Sequence, residues 1–154
     1  MTNLMTRIMR FMTEVFAPKV NKVVKNTWIS AIQDSIMAAL PLVFVGSLIT
    51  IVSLLKNIWS QLPDLSMISN FSFGMYALIV AFLIPYYLME KKGYPSQKLI
   101  SGSTSLVLFM MLLFPTITAD GNATFIISRF GATGMFLSMI TGLFVGLVMS
   151  IAVK

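Results

Sequence analysis

The sequence has no cysteine and no histidine, and only 5 of its 154 residues are acidic. Disulfides, thiolate nucleophiles, imidazole metal sites and a histidine general base are therefore excluded within these residues. Nor does the sequence offer paired carboxylates of glycosidase type, a glycine-rich phosphate loop or a nucleophile with its base. No catalytic residue, metal site or cofactor is expected, and the residues alone assign no substrate-binding position. Charge is scarce too, at 10% against about 25% in ordinary soluble domains. Apolar residues make up 57%, above the usual range of roughly 45–50%. So short a chain cannot hide four long apolar runs in a soluble core. The expected fold is an all-α polytopic transmembrane helical bundle of about four spans.

Along the chain, residues 1–27 form a basic amphipathic segment at the cytoplasmic face or interface, and residues 28–154 form the membrane domain. The opening stretch holds Arg7, Arg10, Lys19, Lys22 and Lys25 with one acid, Glu14, and lacks the apolar core of a cleavable leader. Leu4, Ile8, Phe11, Met12 and Val15 fall on one helical face, with Arg7, Arg10 and Glu14 opposite. That pattern suits a helix lying in the headgroup plane, which Pro18 is predicted to end. Spans are predicted over about 32–55, 71–89, 99–117 and 130–153, each near the twenty residues that cross a hydrocarbon core. Pro41, Pro85 and Pro115 are candidate helix kinks. Trp28 and Trp59 are candidate interface anchors. Asp120, Gly121 and Asn122 read as a turn.

Of the eleven basic residues, nine fall on one side of this four-span arrangement, and only Lys56 and Arg129 on the other. The positive-inside rule then puts both termini in the cytoplasm. The net charge of +6 suits an anionic membrane surface better than nucleic acid, because the cations flank the spans. Gln33 and Asp34 are the polar candidates close to a membrane core, with no paired cation evident in the spans. In the last run Gly134, Ser138, Gly142, Gly146 and Ser150 recur every four residues, a strip on which another helix can approach closely.

The run FAPKVNKVVKNTWISAIQDSIMAALPLVFVGSLITIVSLL (16–55) resembles the amino-terminal signature of the membrane-embedded IIC permeases of the bacterial sugar phosphotransferase system, lactose/cellobiose type. FGMYALIVAFLIPYYLMEKKGYP (73–95) and FGATGMFLSMITGLFVGLV (130–148) are similar to later pieces of that pattern, in order. The resemblance implies an amino-terminal scaffold and dimer contact in the bacterial cell membrane. It also implies a IIB protein as phosphoryl donor, and a cellobiose-like or lactose-like sugar held by a carboxyl-terminal half. Characteristic His and Glu residues of that half have no counterpart here, so these residues alone are expected not to transport. A homodimer is expected. The alternative is a free-standing small membrane protein that regulates or assembles with a full-length permease, using the Gly134–Ser150 strip.

Overall fold

The computed structural model describes residues 2–55, 59 and 63–154. Helix α1 (Thr2–Arg10), a π turn (Phe11–Phe16) and α2 (Ala17–Val24) run on without interruption. Pro18 therefore does not end the amino-terminal helix. A proline removes one N–H and crowds the carbonyl four residues back. Here the ladder has already loosened, because the Ala17 N–H bonds Met12 O, five residues back, immediately before the ring. Asn26 then separates α2 from α3 (Thr27–Leu55), its side-chain Oδ1 accepting the Trp28 N–H at 3.0 Å as a helix cap.

Beyond α3, α4 (Ser66–Ser72), a 3-10 turn (Phe73–Met75) and α5 (Tyr76–Lys91) form one helical rod. A tight loop leads to α6 (Lys98–Leu112), and α7 (Ala132–Ala152) closes the chain. The structure is thus the expected all-α polytopic bundle. Among the described residues, three stretches are long and apolar enough to cross a bilayer: Thr27–Leu55, Ser66–Lys91 and Ala132–Ala152. Within the third predicted span, 99–117, the helix is shorter than the apolar run. Its helix has 15 residues, about 22 Å at 1.5 Å per residue, short of a hydrocarbon core of about 30 Å. Residues next to Pro115 explain the early end. A residue preceding proline is pushed out of the helical region, and Phe114 takes a left-handed φ of 50°. Pro115 therefore stops α6 instead of kinking it. Thr116–Ile117 (β1) pairs antiparallel with Ala123–Thr124 (β2) across the Asp120–Asn122 turn, where Gly121 supplies a φ of 79°.

Helix α5 is the hub, packing against α3, α6 and α7. One apolar cluster joins Ala77 and Ala81 to Phe109, Leu113 and Phe130; another joins Tyr76, Val80 and Ile84 to Ala39. Helix α3 runs antiparallel to the α4–α5 rod, since Gly46 abuts Phe73 while Asp34 meets Lys91. A Cβ on Gly46 would stand 2.7 Å from Phe73 Cβ and 2.8 Å from its backbone nitrogen, so the two backbones touch. Helix α7 is parallel to α5, with Gly142 facing Ile84 and Gly146 facing Leu88. These pairings gather Trp28, Asp34, the Glu90–Lys98 loop and Lys154 at one end of the bundle. Arg129 and the β-hairpin lie at the other. Lys56 lies outside the described residues.

Candidate functional site

The polar chemistry of the bundle sits in two places, its interior and its basic end. Inside, the hydroxyls serve the backbone. Ser35 donates to Ala31 O at 2.6 Å, Ser138 to Met135 O at 2.7 Å and Thr141 to Leu137 O at 2.8 Å. Ser105 reaches across helices to Ala81 O, at 2.7 Å. That carbonyl lies four residues before Pro85, whose ring nitrogen carries no hydrogen, so the α6 hydroxyl fills the gap that the proline leaves in α5. Among the described residues, Ser101 Oγ is the buried side-chain polar atom without a partner.

All five residues of the small strip, Gly134, Ser138, Gly142, Gly146 and Ser150, are buried. The glycines face α5 and the Arg129 backbone. A Cβ on Gly142 would meet Ile84 Cβ at 2.9 Å, one on Gly146 would run into Leu88 Cδ2, and one on Gly134 would collide with Arg129 O. Because α5 occupies the strip from within the chain, the strip is not a free surface. At the far end of α6, the Arg129 guanidinium donates to Leu113 O at 2.9 Å. A cation there satisfies an orphan carbonyl and suits the negative end of the helix dipole.

The basic end holds the remaining polar candidates. Asp34 pairs with Lys91 Nζ at 2.6 Å, tying the start of α3 to the end of α5. Gln33, beside it, is exposed. The sequence pattern names no cation for Asp34, although the four-span arrangement already puts Lys91 on the same side. Glu90 pairs with Lys98 at 3.1 Å, and Lys98 also stands over the Tyr86 ring at 4.8 Å. Lys92 Nζ lies 4.2 Å from the centre of the Trp28 ring and donates to Ser150 Oγ at 3.0 Å. Burial, and secondarily the charge of Lys154, hold the Lys92 ammonium below the usual lysine range. A cleft of about 390 Å³ opens here, lined among others by Trp28, Lys92, Tyr94, Ser150 and Lys154. Trp59, 69% exposed, follows the other end of α3. Pro41 and Pro85 lie inside α3 and α5, which continue through them. Among the described residues there is no group of three or more acidic side chains placed to hold a metal ion.

Bilayer-length apolar helices around an interior whose hydroxyls are nearly all spent on backbone carbonyls define a multi-pass membrane protein. Residues 33–154 match the family described as "Phosphotransferase system, EIIC", and the chain belongs to that family. Its relatives include the oligo-beta-mannoside-specific EIIC component of Bacillus subtilis (strain 168), 28% identical over 148 residues, which cover 87% of this chain and 33% of the relative. The cellobiose-specific EIIC component of Geobacillus stearothermophilus is 28% identical over 156 residues, 88% of this chain and 34% of the relative. The chain thus spans about a third of the length of these curated relatives. No solved structure matches it.

Proposed function

We propose that these residues are the amino-terminal scaffold of a permease that takes up a β-linked disaccharide and passes it to a IIB protein for phosphorylation. The observation that carries this reading is the state of the interior. The buried hydroxyls of Ser35, Ser72, Ser105, Ser138, Thr141 and Ser150 all bond backbone carbonyls. Five of these bonds stay within their own helix and Ser105 bridges α6 to α5, so among the described residues these hydroxyls serve the backbone and do not converge on a sugar. The family, and relatives named for cellobiose and oligo-beta-mannoside, support the substrate class. In the proposed arrangement both termini and the Glu90–Lys98 loop are cytoplasmic, and α6 with its hairpin completes the third of four passes. Residues 1–27 lie along the inner surface, and the assembly is a homodimer. The second reading, a regulator that binds through the Gly134–Ser150 strip, loses its free surface to α5.

The test is uptake by vesicles that hold residues 1–154 in their membrane and a phosphorylated IIB protein inside, with labelled cellobiose outside. No saturable, IIB-dependent uptake is expected; such uptake would overturn the scaffold reading. Orientation is checked separately. Because the sequence has no native cysteine, Ser96→Cys and Asn122→Cys each carry one thiol. An impermeant maleimide applied to intact cells is expected to label the second and not the first.

A further inference from the structure

Every residue from Leu4 to Asn26 is exposed, so among the described residues the bundle does not bury the amino-terminal helix. Its apolar residues are large: Leu4, Ile8, Phe11 and Val15 lie along one line, 70%, 52%, 57% and 40% exposed. Arg7, Arg10 and Glu14 gather along one flank of that line, with Arg10 and Glu14 3.8 Å apart. Continued at 3.6 residues per turn, this pattern fails. Lys22 follows Leu4 by eighteen positions, about five full turns, so an uninterrupted α-helix would set Lys22 on the apolar line.

The helix is not uninterrupted. Across the π turn Phe11–Phe16, the Ala17 N–H reaches back five residues to Met12 O. Such a turn absorbs one additional residue, so every later position is set back by about 100°. Val23 then stands in line with Leu4, with Val20 about 60° to one side of it. Lys22 turns away to the side of Arg7 and Arg10, with Lys25 beyond it.

We infer that the π turn is a phase corrector, joining two short amphipathic stretches into one continuous face, Leu4–Val23, that docks in the plane of an anionic lipid leaflet. An apolar face backed by five cations and a single acid, itself beside Arg10, matches a bilayer with negative headgroups. The inference deepens the in-plane placement of residues 1–27 proposed above and rests on it.

The experiment is a nitroxide depth scan of the whole chain in vesicles of phosphatidylethanolamine with phosphatidylglycerol, against vesicles of phosphatidylcholine. Single cysteines replace Ile8, Arg10, Val15, Lys22 or Val23, and collisions with oxygen and with a water-soluble nickel chelate report depth. In the anionic vesicles, labels at positions 8, 15 and 23 are expected to favour oxygen, and those at 10 and 22 nickel. In phosphatidylcholine the oxygen preference at all three apolar positions is expected to fall. Deleting Thr13, which removes one residue from the π turn, is expected to leave position 8 unchanged and to abolish the oxygen preference at 23. If every label favours nickel, the in-plane placement is wrong. If 8 and 15 are immersed while 22 replaces 23 as the immersed position, or the deletion leaves 23 immersed, placement stands and phase correction is overturned. An unchanged pattern in phosphatidylcholine overturns the requirement for anionic lipid.

Discussion

Replacing Ser105 with alanine removes the donor at 2.7 Å from Ala81 O, at a place where Ser105 and Ala81 are both fully buried. Pro85 cannot resupply the bond from within α5, so the carbonyl is left bare in an apolar environment. An unsatisfied buried polar group costs roughly 1–3 kcal/mol. Interhelical hydrogen bonds in membranes average about 0.6 and reach about 1.7 kcal/mol, because the dispersed helices find other partners. A loss of about 1–1.5 kcal/mol is therefore expected for Ser105→Ala. For a chain of this size each kcal/mol moves the midpoint by about 2–4 °C, readable by tryptophan fluorescence in detergent micelles. The decisive arm is the double variant. Pro85→Ala restores an N–H four residues after Ala81, and in that background Ser105→Ala is expected to cost less than about 0.5 kcal/mol, since the carbonyl now has its helical donor. An equal cost in both backgrounds would show that the hydroxyl does not act by filling the gap left by Pro85, and would refute the reasoning.

Three further outcomes follow from the geometry. Gly142→Ala meets the branched Ile84 and the Pro85 ring, neither of which can turn away, whereas Gly146→Ala meets the flexible end of Leu88. Overpacking costs about 1–3 kcal/mol against a helix-propensity gain of about 1 kcal/mol, so Gly142→Ala is expected to lower the melting midpoint and Gly146→Ala to leave it nearly unchanged; the reverse order would count against this packing. Arg129→Met takes the donor from Leu113 O, and is expected to cost about 1–2 kcal/mol and to speed hydrogen exchange in the last turn of α6, with no change in that exchange as the contrary result. Lys92, held below the lysine range by burial and then by Lys154, binds its proton less readily folded than unfolded. Stability should therefore rise with pH between the lowered folded pKa and the ordinary lysine value, and be level below that window. In a Trp59→Phe background, Trp28 fluorescence should report a titration that Lys154→Gln moves to higher pH.

The number and order of apolar runs were legible because hydropathy needs only composition over about twenty residues. So was the grouping of Trp28, Asp34 and the Glu90–Lys98 loop at one end, which follows from alternation of the runs. Pairwise contacts were not. Asp34 gave no sign of which lysine it meets, since Lys91, Lys92 and Lys98 share that end and only the rotation of α5 selects Lys91. The Gly134–Ser150 strip announced a close approach, but periodicity does not name the approaching helix; the Ile84 and Leu88 contacts do. Ser105 was visible only as part of a small, hydroxyl-rich stretch. Its signal lay elsewhere, in Pro85, because a proline inside an apolar helix frees a carbonyl that some neighbour must serve.

The prolines show why a count of apolar residues misplaces helix ends. At Pro18 the helix continues, because a π turn has already broken the regular ladder before the ring. At Pro85 it continues because Ser105 on α6 supplies the missing donor to Ala81 O. At Pro115 it stops: Phe114 leaves the helical region, and Arg129, returning at the foot of α7, takes the Leu113 carbonyl. Hydropathy treats the three sites alike, since it counts side chains and not backbone acceptors. What separates them is the backbone at each ring: a five-residue bond precedes Pro18, an outside hydroxyl serves the carbonyl before Pro85, and Phe114 turns left-handed before Pro115. So the third apolar run ends its helix at Leu112, although the run itself reads on to Ile117.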